Sequence, residues 1–360
     1  MSESNKNNPS NTTKKKYVFQ CFLAIIIFIF LGSCNNGNKV ENVERGFYYW
    51  KSNDYFGFSE TEKIKDLNIR KIYYKFFEVD YSETMGNYPI EKNSPNSYGI
   101  SKMDSVIIVP TIFIKNEIYK FNDEKSLDLL ADNIVFLIEK YIKDAEIRNS
   151  DEIQIDCDWT KSTKDKYFYL LKKIKEFSGK KISCTLRLYP YKYPEIMGVP
   201  PVDKVSLMCY NLIKPLSEKD KNSIFDLEEF KKYVNKKRKY PIHLDIVLPV
   251  FYWSQLYQNN QYEKLVNMNT EEIKKFAKPI KPMWYEVNKD TTINDVYFKI
   301  GNQIKCEEVS TETIQDAISV IKKNIELDNN TTVSLFHLDN NSINIYNREE
   351  INNIYNSFTK

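Results

Sequence analysis

Histidine is almost absent from this chain of 360 residues: His243 and His337 are the only two. Six cysteines are present, but no two stand in a C-x-x-C pair, so the donors for a structural zinc site are lacking and no metal or other cofactor is expected. Nine glycines are few for this length, and none forms a G-x-G-x-x-G turn after a strand-like run. That removes the main argument for an open, doubly wound nucleotide-binding sheet. A long hydrophobic run is missing too. The most apolar stretch, 17–30, has 14 residues, whereas about 20 are needed to cross a bilayer core as a helix. With 52 basic and 49 acidic residues the formal net charge is only +3, so charge gives no reason to expect nucleic acid as a partner.

What the chain does have begins at its amino end. Lys14, Lys15 and Lys16 precede the apolar stretch, and Leu31-Gly32-Ser33-Cys34 follows it. Positive residues, a short apolar segment and small residues before a cleavage point are the parts of a secretory signal. A cysteine directly after Leu-Gly-Ser resembles the lipobox of bacterial lipoproteins. The resemblance implies cleavage before Cys34, diacylglycerol on its sulfur and a further acyl chain on the new amino group, and two or more chains anchor stably. The expectation is a protein held through Cys34 on a membrane of the bacterial cell envelope, the outer membrane being the first choice, without spanning it.

Loss of residues 1–33 removes Lys6, Lys14, Lys15, Lys16 and Glu3 and leaves acids and bases in balance. Residues 35–43 are polar and aperiodic, a tether reaching at most about 30 Å. Residues 44–360 read as one domain. Apolar and aromatic runs bounded by turn residues recur at 46–50, 71–81, 105–115, 152–159, 181–189, 204–211, 242–251 and 332–338. Helical spacing of apolar residues marks 59–67, 125–145, 164–177, 226–237 and 311–325. Eight strands alternating with helices predict a (β/α)8 TIM-type barrel, although no clear helix follows the second or fifth strand. The stretch from 254 to 310 is too long for a loop, and its runs 283–287 and 296–305 predict a small, mainly antiparallel insertion after strand seven. Cys157, Cys184 and Cys209 lie inside strand-like runs, where buried free thiols are expected in preference to a disulfide.

In a barrel, ligand-handling groups sit at the carboxyl ends of the strands. On the fourth strand, alternation puts Gln154, Asp156, Asp158 and Thr160 on one face and Ile153, Ile155 and Cys157 on the other. Polar groups climbing one face are costly if dry and unpaired, so that face should point into the barrel mouth. Asp156-Cys157-Asp158-Trp159 is similar to the fourth-strand motif of chitinase-like glycoside hydrolases, family 18. Met208-Cys209-Tyr210-Asn211 resembles that family's sixth-strand motif, whose tyrosine and amide or acid touch the sugar's acetamido group. Leu248-Pro249-Val250-Phe251-Tyr252-Trp253 resembles the seventh-strand region after which many chitinases carry a small α+β insertion. The resemblance implies a barrel with a sugar-shaped mouth and a glycan as ligand. It also implies a glutamate after Trp159, where Thr160 stands, and a hydroxyl cannot serve as a general acid near neutral pH. The strand motifs resemble uncharacterised barrel lipoproteins of Gram-negative bacteria as well, which implies no activity.

Glycoside hydrolysis generally needs two carboxylates flanking the bond. Glu78 and Asp80 share a face at the end of the second strand, so Asp158 with Glu78 or Asp80 is the candidate catalytic pair, with Asp156 beside it. Arg187 on strand five is placed to pair with Asp158 and make it an anchor for sugar hydroxyls. Phe251 and Tyr252 occupy the end of strand seven, which leaves no nucleophile there. Tyr189, Tyr210, Tyr252, Trp253 and Trp284 fall at or beyond strand ends, and their rings offer flat apolar faces with polar tips suited to a ligand that is partly wet. With Gln154, Thr160, Arg187, Met208 and Asn211 they complete the expected binding set. His337 is expected to be a satisfied core histidine, since no serine–acid constellation accompanies it. Three readings follow: a glycan-binding lipoprotein that lacks the acid, an active hydrolase using Asp158, and a structural envelope protein with a filled mouth.

Overall fold

The computed structural model describes residues 40–52, 56–93, 103, 105–147 and 151–359. The signal segment, Cys34 and the first part of the tether lie outside the described residues. Eight strands form the barrel: β1 (Asn42–Tyr49), β2 (Lys71–Ser82), β3 (Ile107–Ile114), β4 (Glu152–Asp156), β5 (Lys181–Leu186), β6 (Lys204–Met208), β7 (His243–Pro249) and β8 (Asn330–Phe336). Each pairs in parallel with its sequence neighbour, and β8 pairs with β1, so the sheet closes on itself. Closure removes every free edge from the barrel sheet.

The outer helices follow from apolar stripes and local caps. In Glu124–Asp144, Leu127, Leu130, Ala131, Ile134 and Ile138 are buried at three- and four-residue spacing, and the Asp123 side chain accepts from the Ser126 N–H at the start. Lys164–Ser178 ends at Gly179, whose φ of +62° is the left-handed conformation that glycine adopts without strain. Asp226 and Ser310 cap Leu227–Tyr233 and Thr311–Asn324 in the same way as Asp123. Where the sequence shows no helix, the chain does something else. An antiparallel strand, Gly86–Ile90, folds back on the end of β2, and two short helices, Leu188–Lys192 and Pro194–Met197, follow β5. A helix at Arg348–Asn356 closes the described chain and is tied to β1 by Arg45, which donates to Asn352 at 2.6 Å and Asn356 at 3.0 Å.

The insertion after β7 is a five-stranded antiparallel sheet in the order Gln261–Val266, Trp253–Gln258, Gln303–Glu307, Trp284–Val287, Ala277–Lys281. It has its own core of Leu256, Val266, Ile273, Phe276, Val287, Phe298 and Ile304. Lys305 and Glu307, both almost wholly buried, pair at 2.5 Å and dock the sheet on the loop after β6. Glu307 accepts from the Ser223 N–H at 3.1 Å, and Lys305 donates to the carbonyls of Glu218 and Lys221.

Inside the barrel the amino end is plugged by charge. Lys204 lies 3.1 Å from Glu152 and 2.9 Å from Asp245, Lys71 lies 2.5 Å from Glu44, and His243 bridges Asp245 at 3.1 Å and Asp328 at 2.8 Å. Each buried ion has a partner, as burial demands. Above this layer Tyr48 stacks on Tyr73 with centroids 4.7 Å apart, and Gln154 accepts from the Tyr48 hydroxyl at 2.8 Å and donates to Ser206 at 3.1 Å. These side chains fill the lower half of the barrel.

Candidate functional site

The mouth lies at the carboxyl ends of the strands, where β4 and β5 bring four groups together. Asp156, buried, accepts from the Thr185 hydroxyl at 2.5 Å. Asp158, two residues on, is gripped by Arg187, with Nε to Oδ1 at 2.6 Å and Nη2 to Oδ2 at 3.2 Å. This two-point fork fixes both planes at once. The Asp158 side chain is 54% exposed and that of Arg187 is 34% exposed, so the pair stands open at the rim while Asp156 lies beneath it. Burial pushes the Asp156 carboxyl up to about 6, with Asp158 and Glu78 adding to the rise and Arg187 and the Thr185 hydroxyl opposing it. Two neighbouring acids are thereby given different environments.

Tyr210 completes this side of the mouth. Its ring packs on Phe336 at 4.9 Å and edge-on to Phe251 at 6.0 Å, and its hydroxyl donates to the Met208 thioether at 3.1 Å. Burial holds the phenol well above its ordinary range, so it remains a donor, and a thioether is a weak acceptor for it. Across the mouth Lys75, buried under Trp50 at 5.7 Å, donates to Glu78 at 2.7 Å. A bulge in β2 between Lys75 and Phe77 puts two consecutive residues, Phe76 and Phe77, on the outer side and returns Glu78 to the interior phase.

Several expected members are used elsewhere. Asp80 is one residue past Val79, the last β2 residue paired with β3; its carboxylate is held by Lys115 at 2.5 Å and by the Tyr81 N–H. Thr160 does not continue the inward face of β4, because the strand ends at Asp156. Its hydroxyl lies 2.9 Å from that of Ser162 and 3.1 Å from that of Thr163 in the turn that starts the next helix, and the residue is exposed. Trp284 is buried in the insertion, donating to the Lys219 carbonyl at 2.9 Å and packing on Tyr257, which makes it a link between insertion and loop instead of a ligand platform. Tyr189 lies exposed on the short helix after β5 against Tyr193, and Asn211 is exposed with a positive φ of 54°. Tyr252 is buried, with Glu272, Asp339 and Glu308 near enough to add to a rise that burial dominates. Trp253 packs on Phe251 and donates to Glu307 at 2.6 Å. Gln154 belongs to the packed layer below the mouth.

The sequence reading missed Lys75, Thr185 and Trp50. For the first two the signal was present: Lys75 follows Tyr73 by two in a run that is otherwise apolar, and Thr185 sits two before Arg187 on one face of β5. His337 also departs from expectation, since its buried Nδ1 has no hydrogen-bond partner among the described residues; burial lowers its imidazole to about 4 against the pull of Asp339. The four described cysteines are buried and free, and no group of three or more metal-ligating side chains occurs among the described residues.

No family model matches the chain, and no curated sequence matches it either. Solved structures do. The spore cortex-lytic enzyme SleL of Bacillus cereus superposes with a TM-score of 0.51 at 13% identity, over 89% of this chain and 75% of that one. A Group IV chitinase of Ostrinia furnacalis gives 0.49 at 10% identity, over 88% of this chain and 100% of that one. The likeness is one of fold. What is shared is the closed parallel (β/α)8 barrel.

Proposed function

We propose that this chain is an exported lipoprotein, anchored through acylated Cys34, whose glycosidase-like barrel binds a carbohydrate at Asp158, Arg187 and Tyr210. The observation that carries the reading is the Asp158–Arg187 fork, half open at a barrel mouth, with the buried Tyr210 hydroxyl beside it given only to a thioether. Sugar hydroxyls and amides are suited to such fixed donors and acceptors, and the aromatic wall of Trp50, Phe251 and Phe336 suits the apolar face of a pyranose. Thr160 supplies no acid, so binding without rapid turnover is the expected behaviour.

One observation favours a second reading. Asp156, at about 6, is partly protonated near neutral pH beneath Asp158, and neighbouring acids with divergent environments are how acid and base roles are divided. In that reading Asp156 replaces the missing glutamate as proton donor. Calorimetric titration and turnover assays on a panel of gluco-, manno-, xylo- and N-acetylgluco-oligosaccharides test both. Binding weakened at least tenfold by Asp158→Asn and by Tyr210→Phe, with no turnover, supports the binding reading; turnover abolished by Asp156→Asn replaces it with the second. Absence of binding to every sugar removes both. The anchor is tested separately by mass spectrometry of the mature amino terminus, where an unmodified end or an intact Met1 segment would remove it.

A further inference from the structure

Several exposed apolar side chains stand on the mouth side of the barrel. Phe58, Met85, Phe121, Tyr189, Ile196 and Leu216 all lie in segments that follow barrel strands, on the mouth side, and are between 37% and 78% exposed. The other exposed ones lie on outer helices (Leu129, Phe136 and Phe177, the last just before β5) or in the insertion (Tyr262, Leu265, Ile280, Tyr297 and Ile300). Scattered surface apolars need no explanation, but a ring held flat on another ring and still exposed does.

Phe121 has a ring stacked parallel beneath it. Its ring lies flat on Tyr81, centroids 4.5 Å apart and planes within 5°, yet it remains 55% exposed. The ground beneath it is fixed. Asn87 and Asn122 exchange amide hydrogen bonds at 2.7 and 2.9 Å, and Lys166 donates to the Tyr119 and Asn122 carbonyls at 2.8 and 2.6 Å. Asp80 and Lys115 supply a polar pair beside Tyr81. The platform is continuous with the rim of β4, because Thr163, bonded to Thr160, donates to Asn116 at 2.6 Å at the start of the turn that ends in Phe121.

We infer that the Tyr81–Phe121 ring pair is a second carbohydrate-binding platform outside the mouth, taking a pyranose of an extended glycan whose other end lies at Asp158. A flat, rigid, half-exposed ring beside a fixed acid–base pair offers a sugar both its apolar face and its hydroxyls a partner, at little cost in ordering side chains. The inference rests on the mouth binding sugar, and it adds that the ligand is a chain long enough to leave it.

The test uses the mature protein and whichever hexasaccharide of the panel binds tightest, together with its disaccharide. Phe121→Ala is expected to weaken the hexasaccharide about tenfold, the order of one ring contact, and to leave the disaccharide unchanged. Phe121→Leu, which still covers Tyr81 but has no flat face, should lose as much, while Phe121→Tyr should retain binding. Leu129→Ala, on an outer helix and 63% exposed, should change nothing. Unaltered hexasaccharide affinity in Phe121→Ala, full affinity in Phe121→Leu, or an equal loss in Leu129→Ala overturns the platform and leaves the mouth reading standing. Failure of every oligosaccharide to bind overturns both.

Discussion

Replacing Asp156 by asparagine should stabilise the protein, and only above about pH 4. The folded carboxyl titrates at about 6 because burial and the neighbouring Asp158 and Glu78 disfavour its charge, against 3.8 for the unreacted side chain. Between those values the native state holds a proton that the unfolded chain has released, so stability falls as pH rises through the window. The difference of roughly two pK units corresponds to about 3 kcal/mol at pH 8, all of it absent below about pH 4. Asparagine keeps an oxygen to accept from Thr185 and never charges. Urea unfolding of both proteins at several pH values isolates the effect, since all other titrating groups cancel in the difference. The expected difference is near zero at pH 4 and grows to about 3 kcal/mol in favour of Asp156→Asn at pH 8, an order-of-magnitude figure. A variant equally or less stable at every pH would refute the reasoning: Asp156 would then be a well-compensated structural anion, and its role as proton donor would fall with it.

Other expectations can be checked on the same apparatus. A Cβ on Gly46 would lie 2.3 Å from the Ser334 Oγ, so Gly46→Ala should destabilise by about 1–3 kcal/mol through overpacking where β1 meets β8, and Ser334→Ala should recover most of it in the double variant. His243 is raised by its hydrogen bond to Asp245 and by Asp328, so its stabilisation is full below about pH 6.5 and lost as pH rises through the higher folded value; His243→Gln should flatten that alkaline slope in thermal unfolding. Glu307→Ala leaves Lys305 buried without its carboxylate and should cost about 3–5 kcal/mol, with a shift in Trp253 fluorescence as the indole loses its acceptor.

Much of the fold was legible because each element repeats one physical pattern. All eight barrel strands and the five expected helices were visible as apolar runs and three- and four-residue spacing, and the insertion announced itself by being too long for a loop. The ends were harder to see. Alternation alone carried β4 on to Thr160, but the turn formed by Thr160, Ser162 and Thr163 competes for the backbone and ends the strand at Asp156. On β2 a bulge, invisible in composition, resets the phase so that Glu78 reaches the interior, while Asp80, beyond the pairing with β3 and opposite Tyr88 of the antiparallel strand, meets Lys115. The two groups that face each other across β4 and β5, Asp158 and Arg187, were expected because both extend an alternating face by one step. Lys75 and Trp284 show the limit in each direction: a buried lysine in an apolar run has meaning only once its partner is known, and an aromatic after a strand can serve the joint between two sheets.

Both ends of this barrel bury aspartate at similar depth, and they treat it in opposite ways. At the amino end Asp245 is desolvated, yet Lys204 and His243 outweigh the burial and bring it down to about 2. At the mouth Asp156 is desolvated too, and Arg187, shared with Asp158, opposes that burial without outweighing it, while Asp158 and Glu78 add to the rise. The plug is compensated and stabilising, as expected of the end of a barrel that carries no function. The mouth is under-compensated. A fold that can neutralise a buried acid with lysine at one end, and at the other brings Lys75 to Glu78 and Arg187 to Asp158 while leaving Asp156 strained, carries a stability cost in the place where a ligand would relieve it. We take that cost as support for Asp156 as a binding or reacting group, the reading that its replacement by asparagine tests.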